Sequence, residues 1–328
     1  MCDTSAFGTS PSREGDIRAA IGAILANKYK GTPSPSGPDV MKRVLDFWGD
    51  WFKQATTTSP LDPATFSAYN TIAVNVIAGA AARQDKHILT LIPSLHATLT
   101  TPHLNAELLA QSLGLLLKQN PLLIPENHAL VKRFHKQWAY THLAKPLLQP
   151  AQPASSQDAA AAAAATRSRV AALAAVANCP FTVYQDDLPL LIRLLVTALS
   201  SSGRADIASE EVAWSQVVCA LEILVEILGN EPEALRGYLR EVIGGVTGVY
   251  QVCAERKQSG QQQQGPVKTV CRRLALQVLG AIPTRFEERH VLVYAPPTQR
   301  MLAVACGDPV RRVREVARAA RASWARVV

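Results

Sequence analysis

Apolar residues recur at intervals of three and four along nearly the whole chain, and this period limits the fold more than any other feature. The clearest example lies between residues 214 and 228, where Glu222 and Glu226 fall on the side opposite the apolar residues. Segments with the alternating pattern of a β-strand are almost absent. The sequence therefore predicts an all-α fold. The predicted buried face of this example consists of Trp214, Val217, Val218, Leu221, Leu224, Val225 and Leu228.

Prolines that follow a capping side chain mark several helix starts. Asp62-Pro63, Asn230-Glu231-Pro232 and Asp308-Pro309 each place a side-chain acceptor before a proline in the first turn, where proline loses no intrahelical hydrogen bond. Pro266, after Gly265, begins another helix in a similar way. With breaks at clusters of Pro, Gly and Ser, we predict helices near 16–29, 38–55, 63–84, 87–100, 104–119, 127–148, 158–178, 187–200, 209–229, 231–257, 266–281, 296–306 and 309–327.

Pairs of these helices would recur at roughly 45–60 residues, close to the ~40–47 residues of HEAT and armadillo repeats. We therefore predict a HEAT/armadillo-type α-solenoid of antiparallel helical hairpins. The alanine run 159–165 is expected to open a helix, and the glutamine run 261–264 to form a loop. The predicted segments are a disordered N-terminus (1–15), HEAT-like repeats (16–148), a loop or linker (149–157) and C-terminal HEAT-like repeats (158–328).

Composition and charge restrict the surroundings of the protein. The net charge of +8 favours acidic partners but does not choose among a protein surface, a nucleic acid and an anionic membrane. The 6 cysteines have no CxxC-like spacing and lie mostly in apolar segments, which indicates free thiols in a reducing compartment. No apolar run is long enough to span a bilayer. We therefore expect a soluble protein of the nucleus and cytoplasm.

Motifs that carry catalysis or bind metals are not found in the sequence. There is no HExxH, paired CxxC, Walker-type loop or GxSxG. His128, His135 and His142 share a helix face, but successive residues are separated by about 10.5 Å of rise, which is too far for one zinc ion. The glycine-rich segment 244–248 follows a helical pattern and is expected to allow close helix packing. We predict that the protein is not an enzyme and holds no cofactor.

Basic residues form the strongest surface feature, near the end of the chain. A helix predicted there carries six arginines and one acidic residue, Glu315. It is interpreted as a polar cap on the last repeat, as a docking face for an acidic protein, or as a nucleic-acid surface. An aromatic band over Phe47, Trp48, Trp51 and Phe52 is expected to be mostly core, with Phe47 and Trp51 open to a neighbour or partner. The predicted partner-binding residues are Arg311, Arg312, Arg318, Arg321 and Trp324, with a second basic patch at Lys132, Arg133 and Lys136.

The same region resembles a HEAT motif, in which Asp-x-x-x-x-Val-Arg-x-x-Ala opens the second helix of a repeat. Here Asp308 is expected to cap the helix, while Val313 and Ala317 face the neighbouring helix. Arg314 is expected to hydrogen-bond to the turns of adjacent repeats. The motif predicts repeat structure and gives no function by itself.

Several further segments, in the same order, resemble the C-terminal domain of the MMS-nineteen family, a large HEAT-repeat adaptor family. The likeness covers most of 16–328 and departs at Trp138-Ala139 and at the glutamine-rich insert. Because family members are several-fold longer, the chain is expected to correspond to their C-terminal part. The segments are Ala23–Lys28, Arg133–Tyr140 with the following Leu143 and Pro146-Leu147, Arg169–Asn178 before Leu188–Leu191, and Tyr294–Trp324.

The resemblance implies a non-catalytic adaptor of cytosolic iron–sulfur protein assembly. In this role the domain would dock a β-propeller protein and a small partner subunit, the core of the targeting complex. The scaffold would then help deliver clusters to apo-proteins of DNA replication and repair. Two alternatives stay open, a generic HEAT-repeat interaction scaffold and a basic DNA-binding repair factor, although direct nucleic-acid binding is disfavoured. No membrane partner is predicted.

Overall fold

Helices account for all the regular secondary structure that is described. The computed structural model describes residues 40–57, 62–82, 144–148, 159–201, 210–254 and 266–327, with isolated positions at 20–24, 85–109 and 140–141. No strand occurs among these residues. The predicted all-α class is therefore confirmed.

The longer helices are named in chain order. They are α1 (Val40–Thr57), α2 (Pro63–Ala82), α3 (Ala159–Ala177), α4 (Leu188–Ser201), α5 (Glu210–Asn230), α6 (Leu239–Ala254), α7 (Pro266–Arg285), α8 (Ala295–Ala305) and α9 (Arg311–Trp324). Single α-helical turns occur at Lys145–Leu148, Phe181–Tyr184 and Glu288–Val291. Short 3₁₀ segments occur at Gln185–Asp187, Pro232–Tyr238 and Leu292–Tyr294.

The helix ends show which capping predictions were right. Asp62 caps α2 as predicted, because its Oδ1 accepts a hydrogen bond from the Thr65 amide at 3.0 Å. The expected cap at Asn230 is wrong. Its side-chain amide donates to the Glu226 carbonyl at 2.8 Å, and thus completes the end of α5 instead of opening the next helix. The alanine run opens α3 and Pro266 begins α7, both as predicted.

The chain divides into two compact units, residues 1–183 and 184–328. In the first unit α1 packs against α2, and Trp51 stacks on Phe66 with ring centroids 5.4 Å apart. Trp48 and Phe52 are buried, whereas Phe47 is 60% exposed. The prediction is confirmed for Trp48 and Phe52 as core and for Phe47 as open, whereas Trp51, which was also expected to be open, is half-buried against Phe66.

Helix α7 is the centre of the second unit. It packs against α5, α6 and α9, while α8 packs against α9, and α4 against α5 and α6. Helix α5 is therefore buried over a wider arc than predicted, since Ile223 and Ile227 are also fully buried. Val225, which was assigned to the buried face, is exposed instead. A periodic pattern locates one apolar face, but neighbours on two sides determine how far burial extends.

The glycine-rich segment allows a close helix contact, as predicted. A β-carbon on Gly245 of α6 would lie 2.9 Å from the β-carbon of Leu199 on α4. Such a distance is too short for two carbon atoms, so glycine is needed for α6 to approach α4. Gly244 and Gly248 have open space at the corresponding positions.

Candidate protein-interaction surface

The arginine-rich helix α9 is anchored by one buried face. Val313, Ala317, Ala320 and Trp324 are all buried, at spacings of four, three and four residues. This face packs against α7 and α8. The predicted inward positions of Val313 and Ala317 are confirmed, and the remaining sides of α9 stay available to solvent.

Trp324 is part of the core and not of the docking surface. Its side chain is fully buried, and its indole N–H donates to the Leu279 carbonyl of α7 at 2.7 Å. The prediction that Trp324 binds a partner is wrong, because a side chain with no exposed surface cannot contact one. A signal for the buried role existed, because Trp324 follows Val313, Ala317 and Ala320 at helical spacing, although Trp occurs in cores and at interfaces alike.

Asp308 in the turn before α9 does not cap that helix. The helix begins at Arg311, and its N-terminal flanking residue Val310 makes no side-chain capping bond. The Asp308 carboxylate instead accepts from the Val310 amide at 2.8 Å and pairs with Arg272 of α7 at 3.3 Å. The predicted cap is wrong because a buried guanidinium holds the carboxylate inside the unit.

Tyr250 of α6 is the third member of this buried polar group. Its hydroxyl donates to Asp308 Oδ2 at 3.5 Å. Burial, followed by the negative charge of Asp308, raises the pKa of Tyr250 to about 12. Sequence analysis missed Arg272 and Tyr250. For Arg272 a signal existed, because it lies in register with the apolar residues Ala275, Leu276 and Leu279 of α7.

Arg314 fixes the same turn from the other side. Its Nη1 donates to the Asp308 carbonyl at 2.7 Å and to the Pro309 carbonyl at 2.9 Å. The expected bond to an adjacent repeat is therefore wrong, since Arg314 binds the turn that precedes its own helix. The Arg314 side chain is half-buried, and its guanidinium donates both of these hydrogen bonds. It is thus less available to a partner than the exposed arginines.

The four predicted docking arginines are all exposed, but they do not share one face. At 100° per residue, Arg311 and Arg318 are separated by about 20° around α9, whereas Arg312 and Arg321 are about 180° apart. Arg311 also pairs with Glu315 at 3.0 Å. The outward stripe therefore contains Arg311 and Arg318, with Arg312 and Arg321 on opposite edges.

The cysteines of the second unit are free thiols, of which Cys253 and Cys271 are buried and Cys219 and Cys306 are half-buried. The Cys271 thiol donates to the Trp214 carbonyl at 3.8 Å, and a hydrogen bond with Cys253 together with burial raises its pKa. Burial likewise raises the pKa of Cys219 to about 12. A thiol must lose its proton to act as a nucleophile or a metal ligand, so both are unreactive in this state. Within the described ranges, no group of three or more His, Cys, Asp or Glu side chains could hold a metal ion.

Other predicted features lie outside the described residues. These are the basic patch at Lys132, Arg133 and Lys136, the three histidines at 128, 135 and 142, the segment 1–15, the linker 149–157 and the glutamine run 261–264. Among the helices that are described, none is long and apolar enough to cross a membrane.

The protein is all-α among the described residues, and its last two helices, α8 and α9, pack together and carry exposed arginines. The chain matches the MMS19_C family, described as "RNAPII transcription regulator C-terminal", over residues 19–283. Because the match covers more than half of the sequence, the chain belongs to the C-terminal domain of the MMS-nineteen family. No curated protein matches it.

Family membership gives the chain an MMS-nineteen-like role linked to transcription and repair. The matched range includes α1 and reaches Pro283 near the end of α7. The match stops before α8 and α9, and therefore does not include the predicted docking residues Arg311 and Arg318.

Proposed function

We propose that the chain is a non-catalytic adaptor of cytosolic iron–sulfur protein assembly, in which it docks the core of the targeting complex. The observation that carries the proposal is the family match over residues 19–283. The partners would be a β-propeller protein and a small subunit. The scaffold would help deliver clusters to apo-proteins of DNA replication and repair, in the nucleus and cytoplasm.

The outward stripe of α9 supports a docking role. Arg311 and Arg318 point away from the buried face, so a partner can reach both without disturbing the core. A mostly basic exposed surface steers an acidic partner and selects it over others more than it adds raw affinity, although Glu315 offsets part of the charge of Arg311 here. The buried Trp324 and the occupied Arg314 would keep this stripe in place.

The test is co-purification of the full chain with the β-propeller and small subunits of the targeting complex. Two variants carry the same change in charge: Arg311→Glu with Arg318→Glu alters the stripe, and Arg312→Glu with Arg321→Glu alters the two edges. We expect the unchanged chain to bind the targeting-complex core stably. The affinity of the stripe variant for that core should be lower by about tenfold or more. The affinity of the edge variant should fall less, because Arg312 and Arg321 lie on opposite edges of the stripe and not within it.

The outcomes separate the family role from the position of the interface. Equal retention by both variants would keep the adaptor role and move the interface away from α9. No binding by a chain shown to be helical and folded would reject the adaptor proposal. It would leave the generic scaffold or the DNA-binding alternative, and steeply salt-dependent binding to random DNA would favour the latter.

A further inference from the structure

An exposed apolar strip runs along the outer side of α8. Val293, Pro297, Arg300 and Val304 follow one another at spacings of four, three and four residues, and all are exposed. Val293 and Val304 are 74% and 75% exposed, and Leu292 beside them is 49% exposed. Pro296 and Ala303 are exposed on the same side. The strip therefore has one charged residue among apolar ones. It begins at Val293 in the 3₁₀ segment Leu292–Tyr294 and continues along α8 to Val304.

This pattern is the reverse of an ordinary surface helix. The inner side of α8 is already used, because Met301, Leu302 and Ala305 are buried and α8 packs against α9. A solvent-exposed outer side is normally polar, and scattered single apolar residues need no explanation. A strip of exposed apolar residues broken only by Arg300 does need one, since exposed apolar patches mark interaction sites.

Charge indicates what covers the strip. The segment 295–327 contains seven arginines against two acidic residues, Asp308 and Glu315, a formal net charge of +5. Asp308 is buried against Arg272, and Glu315 pairs with Arg311. Two copies of this hairpin would bring like charges together, which opposes self-association. An acidic occupant would instead gain a favourable contact with Arg300, which lies in the strip, and would be attracted by the net positive charge of the segment.

We propose that the strip on α8 binds an acidic amphipathic α-helix of a partner protein. Its apolar side would pack on Val293, Pro297 and Val304, in the helix-on-helix manner common in peptide recognition. Its carboxylates would face Arg300, whose Nε is held near the Pro296 carbonyl at 3.4 Å and whose guanidinium is exposed. The site lies beyond residue 283, outside the family match, so it does not depend on the proposed adaptor function.

The test is selection from a displayed library of 16-residue helical peptides with a fixed apolar face and randomised polar positions, using the full chain as bait. We expect enriched peptides to carry Asp and Glu at the polar positions. Their affinity, measured by fluorescence anisotropy, should fall at least tenfold in Val293→Asp and in Val304→Asp. Leu190→Asp, a matched change at an exposed apolar residue of α4, should leave affinity unchanged. Both strip positions are largely exposed, so the variants should keep the helical circular dichroism of the parent.

Three results would overturn the inference. The first is no enrichment, or enrichment of basic or uncharged peptides. The second is a dimer in analytical ultracentrifugation that Val304→Asp dissociates, since the occupant would then be a second copy. The third is sedimentation with vesicles of phosphatidylcholine and phosphatidylserine that both strip variants abolish, since the surface would then bind lipid. Failure of the targeting-complex experiment would not affect any of these readouts.

Discussion

Arg272 of α7 and Asp308 before α9 form an ion pair at 3.3 Å, with each side chain only 1% exposed. The pair joins the central helix of the second unit to the turn that leads into the arginine-rich helix. Tyr250 of α6 adds its hydroxyl to the same carboxylate. Helix α6, helix α7 and the turn before α9 thus meet in one buried polar cluster. This cluster holds the turn from which α9 begins.

Removal of the Asp308 carboxylate should strongly destabilise the protein. Asp308→Ala leaves the guanidinium of Arg272 buried without its counter-charge, and loss of one partner of a buried pair costs about 3–5 kcal/mol. Urea denaturation followed by circular dichroism measures this change in the free energy of unfolding. Glu315→Ala, which breaks the exposed pair with Arg311, should change it by less than about 1 kcal/mol. Equal effects of the two variants would show that the buried pair has no special role.

A methyl group at position 280 should separate α7 from α9. A β-carbon there would lie 3.0 Å from both the α- and β-carbons of Ala320, which is tighter than nearly all such contacts, so the backbone of α9 would have to shift. We expect Gly280→Ala to cost about 1–3 kcal/mol, as for other overpacked sites. Gly244→Ala is the control, because its β-carbon would meet nothing within 4 Å and alanine favours the helix by about 0.4–1 kcal/mol. Thermal melts should therefore move in opposite directions, and a shared direction would contradict the close contact.

Trp324 should contribute to stability and not to binding. Trp324→Phe removes the hydrogen bond to the Leu279 carbonyl and part of a fully buried side chain. Loss of that bond leaves a buried carbonyl unsatisfied, and we expect a cost of about 1–3 kcal/mol in urea denaturation. Binding of partners by the folded variant should match that of the parent. A variant of unchanged stability that no longer binds would restore Trp324 to the interface.

The raised pKa of Tyr250 predicts a loss of stability in alkali. The phenol titrates near 10 in the unfolded chain and near 12 in the folded one, so unfolding is favoured as protons are lost. Its stabilising effect is complete below pH 10 and disappears between about pH 10 and 12. The difference in melting temperature between the parent and Tyr250→Phe should narrow across this window. A constant difference from pH 9 to 12 would contradict the shifted pKa.

Local sequence patterns were sufficient for the all-α class and for most helix positions. The apolar period of three and four, the proline at 63 and the alanine run at 159 all mark helices that the structure contains. These signals depend on interactions within a few residues, so they can be read without knowledge of neighbours. The exposed position of Arg311 and Arg318 follows from the same period, since they lie opposite the buried face of α9.

Tertiary packing decided what each site residue does. Asp308 has the sequence context of a cap, but the approach of Arg272 from α7 draws its carboxylate inward. The period of α9 places Trp324 on the buried face, but only the packed helices show that its indole N–H donates to the carbonyl of Leu279 on α7. Val293 and Val304 look like ordinary apolar helix residues, yet α9 covers the other side of α8 and leaves them exposed. The sequence sets which faces are apolar, whereas the arrangement of the helices determines which of those faces are covered.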